Sequence, residues 1–332
     1  MKAFRMIGMA LLAIMLCSTS CSNDDVVTSE IQEPKEYTVS LNLAGDIIDV
    51  TQTPLSRTYS GHLYGIQIYS KAKTDGSTYV PFAWGLFDKV DNLTVNLLGG
   101  YQYKFVCTYI KDGGWKIFGP TDYNSPTDVA YTAYSAPFNK KLTNIFTYSE
   151  TEEMNGLGKG YSHILTDDEY YNYSYLNRPE TERYYGEVVG FEPSESNSLS
   201  IDMKYTVFGC RFDVEGLNEG YITIELEGAK PLLIEYPNTW ESAIITFSNV
   251  ASAFATPDSY SEDILTTIKW YKSEDDNEPI TIASKSLNYA RLKRTKVKIS
   301  LVDEIEKGIS ITQTENNSSI TDGDSHTITK NY

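Results

Sequence analysis

Cysteine and histidine are scarce in this chain, with four and three residues among 332. His62, His163 and His326 are scattered, and no Cys-x-x-Cys, His-x-Glu or His-Glu-x-x-His spacing occurs, which argues against a zinc site. There is no Gly-x-Ser-x-Gly elbow and no phosphate-cradling glycine loop. Gly156-Leu-Gly-Lys-Gly160 lacks the flanking apolar strand and the Ser/Thr of a P-loop and reads as a flexible turn. Basic residues are outnumbered, 28 against 45 acidic, for a net charge of −17. Nucleic acid, whose phosphates must be met by Lys and Arg, is therefore disfavoured as a partner. No apolar run reaches the roughly 20 residues of a bilayer-spanning helix. These shortages set the expectation of a non-enzymatic protein with no cofactor and no metal.

The amino terminus carries the strongest positive signal. Lys2 and Arg5 precede an apolar run from Met6 to Leu16, followed by Cys17-Ser-Thr-Ser-Cys21. A basic start, a short apolar stretch and small residues before a cut site make a secretory signal peptide. Ser18, Thr19 and Ser20 directly before Cys21 resemble a bacterial lipobox, with Cys21 the acylated first residue of the mature chain. Several acyl chains (palmitate or similar) on one cysteine hold a protein firmly on a membrane. The Ser22-Asn-Asp-Asp25 that follows resembles an acidic tag for export to the outer face of the outer membrane. The alternative is an ordinary signal peptide cut elsewhere. Removing residues 1–20 takes Lys2 and Arg5 and no acid, so the mature chain is more acidic still. Its attachment to the cell outer membrane then rests on the lipid.

What remains is β composition. Twenty-six tyrosines accompany Val, Ile and Thr in short runs broken by Gly, Pro, Asn and Asp. Residues 21–35 read as lipidated cysteine and tether. Tyr37, Val39, Leu41 and Leu43 alternate with polar residues, the period of a half-buried strand. Further runs continue to about residue 110, with turns expected at Asp75-Gly76, Gly99-Gly100 and Asp112-Gly-Gly114. The expected partition is a β-sandwich over 36–150, a Tyr-rich connection over 151–185, a second sandwich over 186–304 and a polar tail over 305–332. In that tail, Ile309-Ser-Ile-Thr and His326-Thr-Ile-Thr could pair across Asp322-Gly-Asp324.

Several residues invite two readings. Cys107 and Cys210 lie inside apolar runs and read as small buried residues; a disulfide between them has no spacing signature. Asp167-Asp168-Glu169 could serve acid/base or calcium chemistry, or be a solvated loop. The tyrosines between 161 and 185, Tyr170, Tyr171, Tyr173 and Tyr175 in particular, either form a ligand or partner surface or pack between the sandwiches. Arg291, Lys293, Arg294, Lys296 and Lys298 stand out against the acidic average. They read as a charged edge strand that discourages stray pairing, or as a dock for an acidic partner.

Three groups of residues carry a family resemblance. They are Cys21 with its tether, first strand and following loop with Arg57; Gly99-Gly-Tyr-Gln-Tyr-Lys-Phe-Val; and Glu182-Arg-Tyr-Tyr-Gly-Glu187 with Ile201-Asp-Met-Lys204, Phe208-Gly-Cys-Arg-Phe212 and the closing basic strand Arg291–Ile299. Together they resemble the fimbrillin-like surface lipoproteins of Gram-negative anaerobes. The resemblance implies an all-β fold of two tandem Greek-key, transthyretin-like β-sandwiches, and a fimbrial subunit, anchor or adhesin at the cell surface. It further implies partners of the same kind, met by strand exchange, and a processing site after a basic residue past the first strand. Arg57 is the one Arg or Lys between Lys35 and Lys71 and so the one candidate; otherwise it is an ordinary loop charge. The alternative function is a glycan-binding surface lipoprotein using a tyrosine platform.

Overall fold

The computed structural model describes residues 34–46, 61–113, 144–154, 164–166, 174–195, 198–273, 278–301 and 308–314. They are almost entirely strand. β1 (Glu36–Gly45), β4 (Thr94–Leu98) and β10 (Ser198–Tyr205) form one side of a first sandwich. β9 (Arg183–Phe191), β5 (Tyr101–Ile110), β2 (Leu63–Ala72), β3 (Val80–Phe87) and the two-residue β6 (Thr147–Tyr148) form the other. β10 joins the two sides at a corner. Its residues Ser198–Met203 pair in parallel with Ser40–Gly45 of β1, and its last two, Lys204 and Tyr205, pair with β9. The period-two burial anticipated in β1 is present, with Val39 and Leu41 inside. They meet Val95 and Leu97 of β4, Leu199, Ile201 and Met203 of β10, and Ile66, Phe105 and Cys107 across the core. The β4–β5 turn falls at Gly99-Gly100 as expected, and Gly100 supplies the positive φ (87°) such a turn needs.

The second sandwich repeats the first strand for strand. β14 (Trp240–Thr246), β11 (Val207–Glu215) and β17 (Arg294–Ser300) take the places of β4, β1 and β10. β13 (Leu232–Glu235), β12 (Tyr221–Leu226), β15 (Ser261–Tyr271) and β16 (Ile280–Ala290) take those of β3, β2, β5 and β9. In each, the opening strand is parallel to the closing strand on one edge and antiparallel to the fourth on the other. Phe208, Phe212, Ile222, Ile224, Ile264, Ile268, Val297 and Ile299 are all fully buried in the second core. The chain is thus all-β, two tandem β-sandwiches. Among the described residues a short helix, α1 (Val250–Ala255), is N-capped by Asn249, whose side chain accepts from Ser252 N.

Three expectations change. The boundary at 186 is displaced: β9 and β10 complete the first sandwich, because β9 pairs along β5 and β10 along β1. The joint is the single residue Thr206, fully buried, whose N–H and Oγ1 both donate to the Arg183 carbonyl. The basic run does not lie on an edge. β17 sits between β11 and β18 (Gly308–Thr314), and β18 pairs antiparallel along its whole length. As for the tail, 308–314 pairs with β17, whereas 326–329 lies outside the described residues.

The outer face of the β9-β5-β2-β3 sheet is itself covered. Gln67, fully buried, accepts from Met154 N at 2.6 Å and donates to the Ile68 and Ala83 carbonyls. Val250 of α1 packs with Val106 and Tyr185, so the second sandwich rests part of a helix on the first.

Candidate functional site

Cys21, Arg57, Tyr170, Tyr171 and Tyr173 lie outside the described residues. Tyr175 is on β8 (Ser174–Leu176), opposite Leu165 of β7 (Ile164–Thr166). Within the described residues, the feature bearing most directly on the expected processing and anchoring is strand β1, the first after the tether.

β1 is held on both edges, by β4 over Glu36–Ser40 and by β10 over Ser40–Gly45. Its far end is locked as well. Gly45 has φ 93°, and a Cβ there would lie 2.2 Å from Asp202 Oδ1 and 2.5 Å from the Met203 carbonyl oxygen, so only glycine fits. The next residue, Asp46, donates its N–H to the Met203 carbonyl at 2.8 Å and accepts the Tyr205 N–H on Oδ2 at 3.1 Å. The same carboxylate oxygen lies 3.6 Å from Nη2 of Arg291, which belongs to the β16–β17 turn of the second sandwich. Arg291 has a side chain only 5% exposed, and it also donates to the Pro257 carbonyl (2.7 Å) and the Tyr205 carbonyl (3.0 Å). Burial lowers its pKa, and the carboxylates of Asp46 and Asp258 oppose that.

A second arginine makes the reciprocal contact. Arg178, just before β9, reaches into the second sandwich. Its Nε and Nη2 donate to Glu262 Oε2 at 3.0 and 2.9 Å, and Nη1 donates to the Glu227 carbonyl at 2.6 Å. Ser248 Oγ and Tyr260 Oη also donate to Glu262, and so fix it. Each sandwich therefore sends one largely buried guanidinium across the joint at Thr206.

The aromatic residues that come together are not those picked out in the sequence. Tyr64, Tyr109, Tyr184 and Tyr205 stand on β2, β5, β9 and β10 and are successive cross-strand partners. Their rings form a row: Tyr64 stacks on Tyr109 at 4.7 Å, Tyr109 meets Tyr184 at 5.3 Å, and Tyr184 stacks on Tyr205 at 4.5 Å. Tyr64 and Tyr109 are buried, so the row closes one end of the core and is no open platform. Burial pushes the Tyr64 hydroxyl up to about 12, and raises those of Tyr109 and Tyr205. Tyr205 Oη donates to Glu182 at 2.8 Å. No local sequence pattern could reveal the row, since its members lie on four separate strands; alternation aligned to a topology would have been needed.

Cys107 and Cys210 are free thiols, each fully buried in a different core, as their apolar surroundings suggested. Burial pushes the Cys210 thiol up to about 12 and raises that of Cys107. Neither is poised as a nucleophile. Among the described residues no group of three or more His, Cys, Asp or Glu could hold a metal ion. Lys296 and Lys298 face outward from β17, while Val297 and Ile299 fill the core. Lys298 lies 3.7 Å from Glu215, and Arg211 donates from Nε and Nη2 to Asp213.

No family model matches the chain, and no curated protein matches it significantly. Several solved structures do. A candidate adhesin of Bacteroides thetaiotaomicron is 10% identical at a TM-score of 0.36, covering 87% of this chain and 100% of its own. The tip fimbrial protein Mfa3 of Porphyromonas gingivalis, with a C-terminal truncation, is 8% identical at 0.34, covering 84% and 99%. The fimbrial anchor protein Mfa2 of the same organism is 9% identical at 0.31, covering 80% and 90%. These neighbours are named for the same classes, fimbrial proteins and adhesins, as the resemblance read in the sequence.

Proposed function

We propose that this chain is a non-enzymatic, lipid-anchored outer-membrane protein displayed at the cell surface, an anchor or adhesin of fimbrillin type. The observation that carries the reading is the setting of β1. This strand follows the tether directly, pairs on both edges and ends in the Gly45–Asp46 lock against the second sandwich. A lipid on Cys21 would thus be joined to the fold through a strand that is costly to remove. A polymerising subunit cut after Arg57 would lose that strand. It would expose unpaired backbone on β4 and β10 and leave Arg291 without Asp46. The intact form suits a protein that keeps its anchor.

Fractionation tests the reading. The wild-type chain should sit in the outer membrane, incorporate labelled fatty acid and be reached by protease added to whole cells. A soluble periplasmic product of native sequence, unlabelled, would reject it. The tyrosine platform over 170–175 gains no support from the described residues.

A further inference from the structure

We propose that the open edge of the first sandwich is a binding site for a neutral saccharide. This deepens the surface-display reading above by giving the displayed protein a ligand class. Among the described residues the two sheets do not close on this side. β4 ends one sheet with five residues and β6 ends the other with two, and residues 89 and 91–93 of the β3–β4 connection lie between them. A cleft of about 420 Å³ results. That is inside the range of roughly 300–1,000 Å³ typical of small-molecule sites.

The chemistry of the walls selects the ligand. Asn92, Asn96, Asn144 and Thr94, residues with three amides and a hydroxyl among them, line the cleft. Asn96 is oriented by Thr38 Oγ1, which donates to its Oδ1 at 2.9 Å and leaves the NH₂ for a ligand. Asn92 adopts φ 56°, a left-handed conformation that asparagine tolerates better than most residues. Amides and hydroxyls that both donate and accept match the vicinal hydroxyls of a sugar. One cation, Lys89, and one anion, Asp91, leave the cleft without net charge, so neither a phosphate nor a polyanion is favoured.

The apolar parts match the C–H faces of a pyranose ring. Tyr148 and Ile145 line the same cleft while 55% and 72% exposed, so their apolar atoms are open to a ligand. The Tyr148 ring meets that of Phe82 edge-to-face at 5.5 Å, which restricts the faces it can offer. Below, Phe87 and Phe146 are buried and meet edge-to-face at 5.2 Å. Gly85 makes room for Phe87, since a Cβ there would fall 2.5 Å from its ring. A rigid aromatic floor, an exposed ring and uncharged amides form a stacking-plus-hydrogen-bonding site.

The test uses the full-length mature chain in detergent. Saturation-transfer NMR is run against lactose, N-acetyllactosamine, cellobiose, maltose and mannobiose, with 3′-sialyllactose as the charged comparison. At least one neutral disaccharide should bind in the millimolar range. Tyr148→Ala and Asn96→Ala should each weaken it by about tenfold or more, equivalent to about 1.4 kcal/mol. Tyr236→Ala, an exposed tyrosine of the second sandwich, should not. Unchanged circular dichroism keeps the variants interpretable, and Asn144→Ala serves if one fails to fold. No neutral sugar binding at any solubility-limited concentration, binding indifferent to the cleft variants, or tighter binding of the sialylated sugar would each overturn the proposal. Because binding is read on purified protein, failure here is distinguishable from failure of the membrane localisation.

Discussion

Arg291 and Asp46 face each other at 3.6 Å, although 245 positions of sequence separate them and they belong to different sandwiches. One stands in the turn from β16 to β17 of the second repeat, and the other directly follows the first strand of the first. Their contact makes β1 part of the joint between the repeats. The energetic weight falls mainly on the arginine, which is 5% exposed, and less on the aspartate, which is 33% exposed.

Arg291→Ala should therefore cost more than Asp46→Ala. The first removes two part-buried hydrogen bonds to backbone carbonyls as well as the ion pair, about 2–4 kcal/mol in all. The second leaves those bonds intact and should cost about 1–2 kcal/mol. Urea unfolding of the two single variants and the double variant measures the coupling. Equal losses, or none for Arg291→Ala, would reject the contact as a joint element.

Gly45→Ala should be among the most damaging small substitutions in the chain. It combines a positive φ with a Cβ placed 2.5 Å from a backbone carbonyl of β10. Strain of this kind costs about 1–3 kcal/mol, more when backbone must move. Gly76→Ala is the matched control, having a similar φ of 79° with nothing within 4 Å. A loss no larger than that of the control would mean the β1 terminus is not locked.

Alkaline unfolding should begin where the buried tyrosines would ionise. Tyr64 and Tyr103 are both raised from 10 to about 12, chiefly by burial. Because the folded state holds these protons more tightly than the unfolded chain, their contribution is fully present below about pH 10. It is lost as pH rises through about 12. Tyrosinate absorbance and circular dichroism, followed together, should show part of the tyrosine titration coinciding with loss of β signal. Complete titration near pH 10 with the fold intact would contradict the burial of Tyr64 and Tyr103.

The processing reading is checked by trypsin. After limited cleavage at Arg57, the fragment carrying β1 should remain bound through size-exclusion chromatography, because both of its edges and its last residues are engaged. Asp46→Ala should loosen it. Spontaneous release of the fragment with formation of oligomers would favour a polymerising subunit instead.

The lipid site is checked separately. Cys21→Ala should lose both fatty-acid label and membrane association, and Cys17→Ala should keep them. The reverse result would place the acylated residue at Cys17.

Much of the fold is legible from period-two alternation. Tyr37–Leu43 and Lys296–Leu301 could be read residue by residue, and Val39, Leu41, Val297 and Ile299 do face inward. The Gly99-Gly100 turn is equally local. What alternation cannot reveal is which strands are neighbours. The parallel union of β1 with β10 spans more than 150 residues, and only that pairing assigns Leu199, Ile201 and Met203 to the first core. The stretch before 186 looks like an interdomain linker because its prolines, glycines and tyrosines lack alternation, yet the strands before and after it, β6 and β9, belong to the same sandwich. Arg291 looked like one more charge in a basic run. Its role depends on a turn in which Leu292 takes φ 59° and the chain reverses toward Tyr205.

The arrangement of β1 also has a mechanical side. Tension arriving through residues before Glu36 enters the fold lengthwise along that strand, with hydrogen-bonded neighbours on both flanks. Bonds loaded along the strand axis share the force and must yield together, whereas bonds at a peeling edge fail one at a time. At its far end the strand is tied by Asp46 to the second sandwich, which spreads the pull across both repeats. If the chain is anchored at its amino end as proposed, a pull on it would therefore meet a strand built to slide only as a whole.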